Sequence, residues 1–341
     1  MVARQQGEHN VSTIVMFAVF SLIVAGGVYA WLLLRVGPAP DQEDFQGHLY
    51  RVGFSQVYYR PGNGSDETVV AVHGFLESPV YFTSLYRDDP ADLVLVANGD
   101  YHSALRARRT STPSWAEEPT PEIGTIEYDA EILIQAVEHL VTTSRIVLHG
   151  HSRGGAVVLE AAARRPNLFA NASAILEAPV LPGAYQRRPL PRVVIWALPL
   201  LLPLWRRQPI NRYNRPVWGA LEDPRKRALI RALPCNVRRA LTVRRNLLNL
   251  AAWVQSREPE MCQRLAEMVV LVPERDRVLD PGTMAASAER GGDGVRVVRL
   301  PDLSHFVTLD CPQALARTNL LSCRKLGKVS ISPKDERAAR A

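Results

Sequence analysis

The sequence predicts an α/β domain: a mostly parallel, doubly wound sheet covered by helices on both faces, carrying one helical insertion and preceded by one membrane-spanning helix. Three observations predict it. Short apolar, β-branched runs alternate with segments of helical periodicity. That alternation stops between residues 180 and 260 and then resumes, and an uncharged stretch of 21 residues stands near the N-terminus. Near-continuous apolar strands belong to sheets buried on both faces. With 341 residues and 47% hydrophobic content, the chain is long enough to bury one large core.

The elements follow in order. Residues 14–34 (IVMFAVFSLIVAGGVYAWLLL) carry no charge and, as a helix rising about 1.5 Å per residue, match the thickness of a hydrocarbon core. A cleaved signal peptide has a shorter apolar run, of about 7–15 residues, behind a basic leader. Residues 1–35 are therefore read as a retained single-pass anchor. Residues 36–65 are read as a proline-rich linker (VGPAPDQE) and the first strands. In 66–179, the first part of the core, the run ETVVAV stops at His73-Gly74 and LVLVA stops at Asn98-Gly99. Residues 128–141 have apolar side chains at helical spacing, 145–148 (RIVL) form a buried-type strand, and 154–165 form a helix halted by Pro166. The pattern continues at 173–176 and resumes at 268–272 and 295–300, within a second core part spanning 261–322. Residues 323–341 form a short charged tail.

Residues 180–260 read as a basic helical cap, with 16 Lys and Arg against 4 Asp and Glu. The whole chain is only +7, so the remainder is net acidic. Within the cap, 193–205 (VVIWALPLLLPLW) is an apolar run too short to span a bilayer and broken by Pro199 and Pro203. Two readings stay open for it: a buried cap helix, or a segment at the membrane interface or lining an acyl tunnel. Cys235, Cys262, Cys311 and Cys323 lack zinc-type spacing, so no metal is expected. Pairing Cys235 with Cys262 and Cys311 with Cys323 is one of three connectivities, with four buried thiols as the alternative. Disulfides would favour a catalytic domain on the extracytoplasmic side.

The stretch V-L-H-G-H-S-R-G-G at 147–155 carries the chemistry. Gly150-His151-Ser152-Arg153-Gly154 fits G-x-S-x-G, lying after a strand and before a helix as a nucleophile elbow requires. Glycines keep side chains out of a tight strand-to-helix turn, and the helix N-terminus supplies partial positive charge where an oxyanion would form. A serine hydroxyl needs a base and a group that orients it. Asp276 lies in the loop after one strand and His305 in the loop after the next, giving the chain order Ser152, Asp276, His305. Glu274, Asp280 and Asp302 compete for the acid role. His73 and His151, each flanking a glycine turn, read as supports of the elbow and its neighbouring loop, and His149 and His102 as structural or solvated. Arg153 reads as a surface residue or as a contact for an anionic substrate head group.

On V-H-G-F (72–75), G-H-S-R-G-G (150–155), V-P-E-R-D-R-V (272–278) and L-S-H-F (303–306), the chain resembles the α/β-hydrolase superfamily from about residue 66 to 322. The resemblance implies an oxyanion hole made by the backbone N–H groups of Phe75 and Arg153, supported by His73, Gly74, Gly150, His151 and Gly154. It implies cofactor-free acyl transfer by Ser152, His305 and Asp276. A serine at the elbow argues against the superfamily's dehalogenases and epoxide hydrolases, which use aspartate there. The expected activity is hydrolysis of a carboxylic ester at a membrane, on an acyl or lipid-like substrate. Membrane lipid with anionic head groups is an expected partner, nucleic acid is not, and the oligomeric state is open. A thioesterase or peptidase acting on a small soluble substrate, or a non-catalytic ligand-binding member of the fold, are the alternatives.

Overall fold

The computed structural model describes residues 2–34, 42–187, 189–212, 214–231, 237–312 and 321. Helix α1 (Val2–Leu34) comes first, followed by strands β1 (Glu43–Val52), β2 (Ser55–Arg60) and β3 (Glu67–Val72). A short α2 (Val80–Thr83) leads to β4 (Asp92–Val96) and β5 (Leu105–Ser111). Then come α3 (Ile126–Leu140), β6 (Arg145–His151), α4 (Arg153–Arg164), α5 (Pro166–Phe169) and β7 (Ser173–Glu177). Among the described residues, four α-helices and a short 3₁₀ helix (Pro259–Arg264) separate β7 from the next strand: α6 (Arg192–Arg207), α7 (Arg215–Trp218), α8 (Pro224–Arg231) and α9 (Val237–Ser256). The chain closes with β8 (Glu267–Pro273), α10 (Pro281–Glu289), β9 (Val295–Leu300) and α11 (Val307–Asp310).

The nine strands form one sheet in the order β5-β1-β2-β4-β3-β6-β7-β8-β9. Only β1–β2 and β2–β4 pair antiparallel; β1–β5 and every pair from β4 to β9 are parallel. The central strands are buried almost throughout, as their continuous apolar runs require. Helix α3 begins where Thr125 accepts a hydrogen bond from Tyr128 N, with Glu127 and Asp129 in its positive first turn. It buries Ile126, Ala130, Leu133, Val137 and Leu140, one face at helical spacing. Parallel order brings the ends of β3, β6, β8 and β9 to one edge, where ligands bind in open α/β sheets.

In α1 the segment Thr13–Trp31 has a mean hydropathy of 2.2 and is not buried against the rest of the chain, so it is long and apolar enough to cross a membrane. Two expectations need correction. Pro199 and Pro203 do not break the apolar run, because α6 continues through both. A proline in a helix costs one N–H bond to the carbonyl four residues earlier, and Tyr29 of α1 supplies a substitute at one such place. Its hydroxyl donates to Pro199 O at 2.6 Å, the carbonyl left without a partner by Pro203. Cys262 is a free buried thiol, pushed up to about 12 by burial, and is not bridged to Cys235. Cys311 is buried. Cys235, Cys323 and the tail at 323–341 lie outside the described residues.

Candidate active site

Ser152 sits between β6 and α4 with φ 51° and ψ −118°, a backbone conformation that non-glycine residues avoid. Three backbone bonds hold it there. Ser152 N donates to Glu177 O at 2.9 Å, and Ser152 O accepts from Val180 N at 2.9 Å and Gly155 N at 3.0 Å. The flanking glycines are needed for close approach. A Cβ at Gly154 would stand 2.0 Å from the Val72 carbonyl oxygen, and one at Gly150 would stand 2.8 Å from Gly155 Cα. At Gly74, a Cβ would meet Ser152 Cβ at 2.9 Å, so the loop after β3 lies directly on the serine.

The loops after β8 and β9 bring Asp276 and His305 together. His305 Nδ1 donates to Asp276 Oδ2 at 2.7 Å, with both side chains buried. Asp276 Oδ1 accepts from Val278 N at 2.6 Å and Leu279 N at 3.0 Å, which fixes the carboxylate as an acceptor. The competing acids are otherwise engaged or exposed. Asp280 caps α10 by accepting from Thr283 N, Asp302 pairs with Arg275 at the surface, and Glu274 is exposed. Among the described residues, the Ser152 hydroxyl and His305 Nε2 form no hydrogen bond with one another. In unliganded sites such contacts are commonly long and tighten with substrate. The histidine loop is nonetheless docked beside the serine, because His151 Nε2 donates to His305 O at 2.9 Å.

His151 is held at both ring nitrogens. Its Nδ1 lies 2.8 Å from Glu77 Oε2, and the ring stacks on Tyr81 at 4.2 Å. Burial works against its charge, but Glu77 and the more distant Glu177 outweigh that and raise its pKa, favouring an imidazolium. His73 is the opposite case. Its Nδ1 donates to Gly74 O at 2.9 Å and its Nε2 accepts from Asn98 N at 3.2 Å, so the ring is neutral, and burial lowers its pKa to about 4. His149 and His102 are both buried, and His149 Nε2 lies 2.6 Å from Glu177 Oε1.

The loop carrying Phe75 is fixed from several sides. Gly74 O accepts from His73 and from Asn98 Nδ2 at 3.1 Å, and Gly74 N donates to Glu77 Oε2 at 2.7 Å. Gly74 O and Phe75 N–H belong to one planar peptide, so anchoring the first aims the second. Leu76, at φ 59°, donates its N–H to Tyr101 OH at 3.2 Å, and that hydroxyl donates to Asn246 Oδ1 of α9 at 2.8 Å. From α8, the buried Lys226 pairs with Asp310 at 2.7 Å, and Asp310 Oδ2 accepts from Ser304 N, next to His305. The helices after β7 thus grip the loops on both sides of Ser152.

Arg153 corrects an expectation. Its side chain is neither at the surface nor free to meet a substrate: it is fully buried, with Nη1 donating to Asp129 Oδ2 at 2.6 Å. Burial pushes the Asp129 carboxyl up against the pull of that guanidinium. The Arg153 backbone N–H, at the first position of α4, has no intrahelical partner. The sequence reading missed Glu77, Asn98, Tyr101, Asp129, Glu177, Lys226 and Asn246. Only Glu77 leaves a local trace, as a carboxylate directly after His-Gly-Phe-Leu; the others reach the site from distant positions. Among the described residues, no group of three or more His, Cys, Asp or Glu side chains could hold a metal ion.

A family model described as "Alpha/beta hydrolase family" matches residues 69–318. No curated protein matches the chain. Similar solved structures include a thermophilic esterase from Thermogutta terrifontis, with 20% identity over 80% of this chain and 94% of that one, at TM-score 0.56. An esterase from Exiguobacterium antarcticum has 14% identity over 81% and 99%, at TM-score 0.57. A membrane phospholipase A described as a bacterial virulence factor has 19% identity over 92% and 100%, at TM-score 0.57. At these identities the likeness is one of fold.

Proposed function

The chain belongs to the alpha/beta hydrolase family, and on that footing we propose that it is a membrane-anchored serine hydrolase that cleaves carboxylic esters of lipid-like acyl substrates. The observation that carries this reading is the strained Ser152 turn beside the buried His305–Asp276 pair, at the edge where the parallel strands end. Ser152 attacks the ester carbonyl while His305 Nε2 takes its proton. Asp276, acceptor-only through its two backbone bonds, keeps the Nδ1–H tautomer and stabilises the imidazolium. The N–H groups of Phe75 and Arg153 receive the oxyanion, the first aimed by the held Gly74 carbonyl and the second by the start of α4. The imidazolium returns the proton to the leaving alcohol, and His305-activated water then releases the acid from Ser152.

The substrate class rests on the surroundings of the serine. Residues 180–260 act as a cap. Leu198 and Leu202 of α6 and Val243 and Leu247 of α9 pack with Leu76, while Phe75, Ile195 and Trp205 lie against the same cluster. An acyl chain lying along that surface would have its carbonyl at the oxyanion loop. The apolar α1 anchors the enzyme in the bilayer, the source of such chains, and a similar fold in a membrane phospholipase A agrees with this reading. The test is Ser152→Ala, which is expected to abolish both p-nitrophenyl ester hydrolysis and fluorophosphonate labelling; retention of either contradicts the assignment. Wild-type turnover is expected to rise with acyl length and with anionic vesicles, and equal rates in all conditions would contradict the lipid-like substrate.

A further inference from the structure

Helix α6 is apolar on two sides. Its inner side, Ile195, Leu198, Leu202 and Trp205, belongs to the cluster over Phe75 and Leu76. Its outer side leaves Val193 73%, Trp196 60% and Leu200 57% exposed, with Leu201 at its edge 40% exposed. A helix on a water-facing surface keeps a polar outer stripe, whereas one that is apolar all round is buried in protein or in lipid.

The place of α6 relative to α1 identifies the covering phase. Tyr29 OH donates to Pro199 O at 2.6 Å, in the middle of α6. Tyr29 lies five residues before Leu34, the last residue of the uncharged stretch and of α1, about 7.5 Å along a helix axis and so within the depth to which an interfacial helix sinks its apolar side. The span therefore sets α6 at the level where hydrocarbon gives way to head groups. The side chains there suit that level. The Arg244 guanidinium lies 4.6 Å from the Trp196 ring centroid, so the exposed indole is paired with a cation at its face. Trp and Arg together are favoured where an apolar body meets anionic head groups, and residues 180–260 carry the 16 basic side chains of the cap.

We propose that the outer side of α6 is a second membrane contact, docked into the interface of the anionic bilayer that α1 spans. The proposal rests on the membrane-anchored reading above. The apolar cluster over Phe75 and Leu76 is then itself half-immersed, and one helix presents apolar side chains to the bilayer outside and to the oxyanion loop inside. An acyl substrate passes from lipid to serine along α6 without crossing water.

The full chain, reconstituted in phosphatidylglycerol–phosphatidylcholine vesicles with acyl-brominated lipid, tests the docking by tryptophan quenching. Wild type is compared with Trp196→Phe and Trp31→Phe, with fluorophosphonate labelling as the folding control. Both variants are expected to lose part of the bromolipid-quenchable emission. If Trp31→Phe loses it and Trp196→Phe does not, the docking is overturned while the anchor stands. If neither loses it, the anchor falls and the docking with it. Leu200→Asp supplies an independent readout: turnover of vesicle-borne ester is expected to fall roughly tenfold while turnover of a soluble short-chain ester is unchanged. A Leu200→Asp variant that instead converts a dimer to a monomer, with Trp196 unquenched, would overturn the proposal in favour of a contact between two copies of the chain.

Discussion

Two buried imidazole–carboxylate pairs lie side by side, with ring centroids 5.0 Å apart: His305 with Asp276 and His151 with Glu77. Their first bonds are nearly equal, at 2.7 Å and 2.8 Å. They differ at the second nitrogen. His151 Nε2 is spent on His305 O, while among the described residues His305 Nε2 has no hydrogen-bond partner. A base needs a nitrogen that can receive a proton, so the proposed function assigns catalysis to the pair with a nitrogen to spare and makes the other a brace. Pairing with a carboxylate does not by itself make a histidine a base.

The largest expected effect tests the catalytic pair. Asp276→Asn should keep the fold but favour the wrong His305 tautomer, lowering kcat by about 10³–10⁴-fold in ester hydrolysis assays; a loss under tenfold would mean another acid orients the ring. The brace should answer in stability. Glu77→Gln leaves the buried His151 without its counter-ion, and urea titration should show a loss of about 3 kcal/mol.

Acid should act in the same direction. His73 is held at about 4, below its ordinary 6.5, because burial disfavours its charge, so the unfolded chain binds the extra proton first. Its contribution is present above about pH 6.5 and is lost as pH falls through 4. Burial alone would raise the Glu177 carboxyl, but His149, His151 and Thr308 together hold it at about 2, so its contribution is present above about pH 4.5 and is lost as pH falls through 2. Stability measured by thermal melts should therefore decline in two stages on acidification, and a flat profile from pH 7 to 3 would refute these assignments. The smallest effect belongs to the link between α9 and the loop carrying Phe75. Tyr101→Phe strips the partner from Leu76 N and from Asn246, and kcat should fall about three- to tenfold with KM little changed; a change in KM alone would place the hydroxyl in substrate binding instead.

The strands around the site and the order of Ser152, Asp276 and His305 were legible because each depends on local signals: apolar runs, a glycine-framed turn, and an acid and a histidine just beyond consecutive strands. The preference for Asp276 over Glu274, Asp280 and Asp302 rested on its place in the loop, whereas the helix cap, the surface ion pair and the exposure that occupy the other three are invisible in spacing. Arg153 was misread for a related reason. Its partner, Asp129, is 24 residues earlier, and nothing local announces that a guanidinium will be buried. The prolines of α6 were misread because their cost was weighed without the tyrosine of α1, 170 residues away, that takes up the orphaned carbonyl.

The account turns on His305 being the base and His151 the brace, and the rate of fluorophosphonate addition to Ser152, followed by mass spectrometry of the modified peptide, tests it most directly. Relative to wild type, His151→Asn should retain the Ser152 adduct within about tenfold, whereas His305→Ala should slow it by at least about 10³-fold. Equal losses in the two variants, or an adduct on any other residue, would contradict the account.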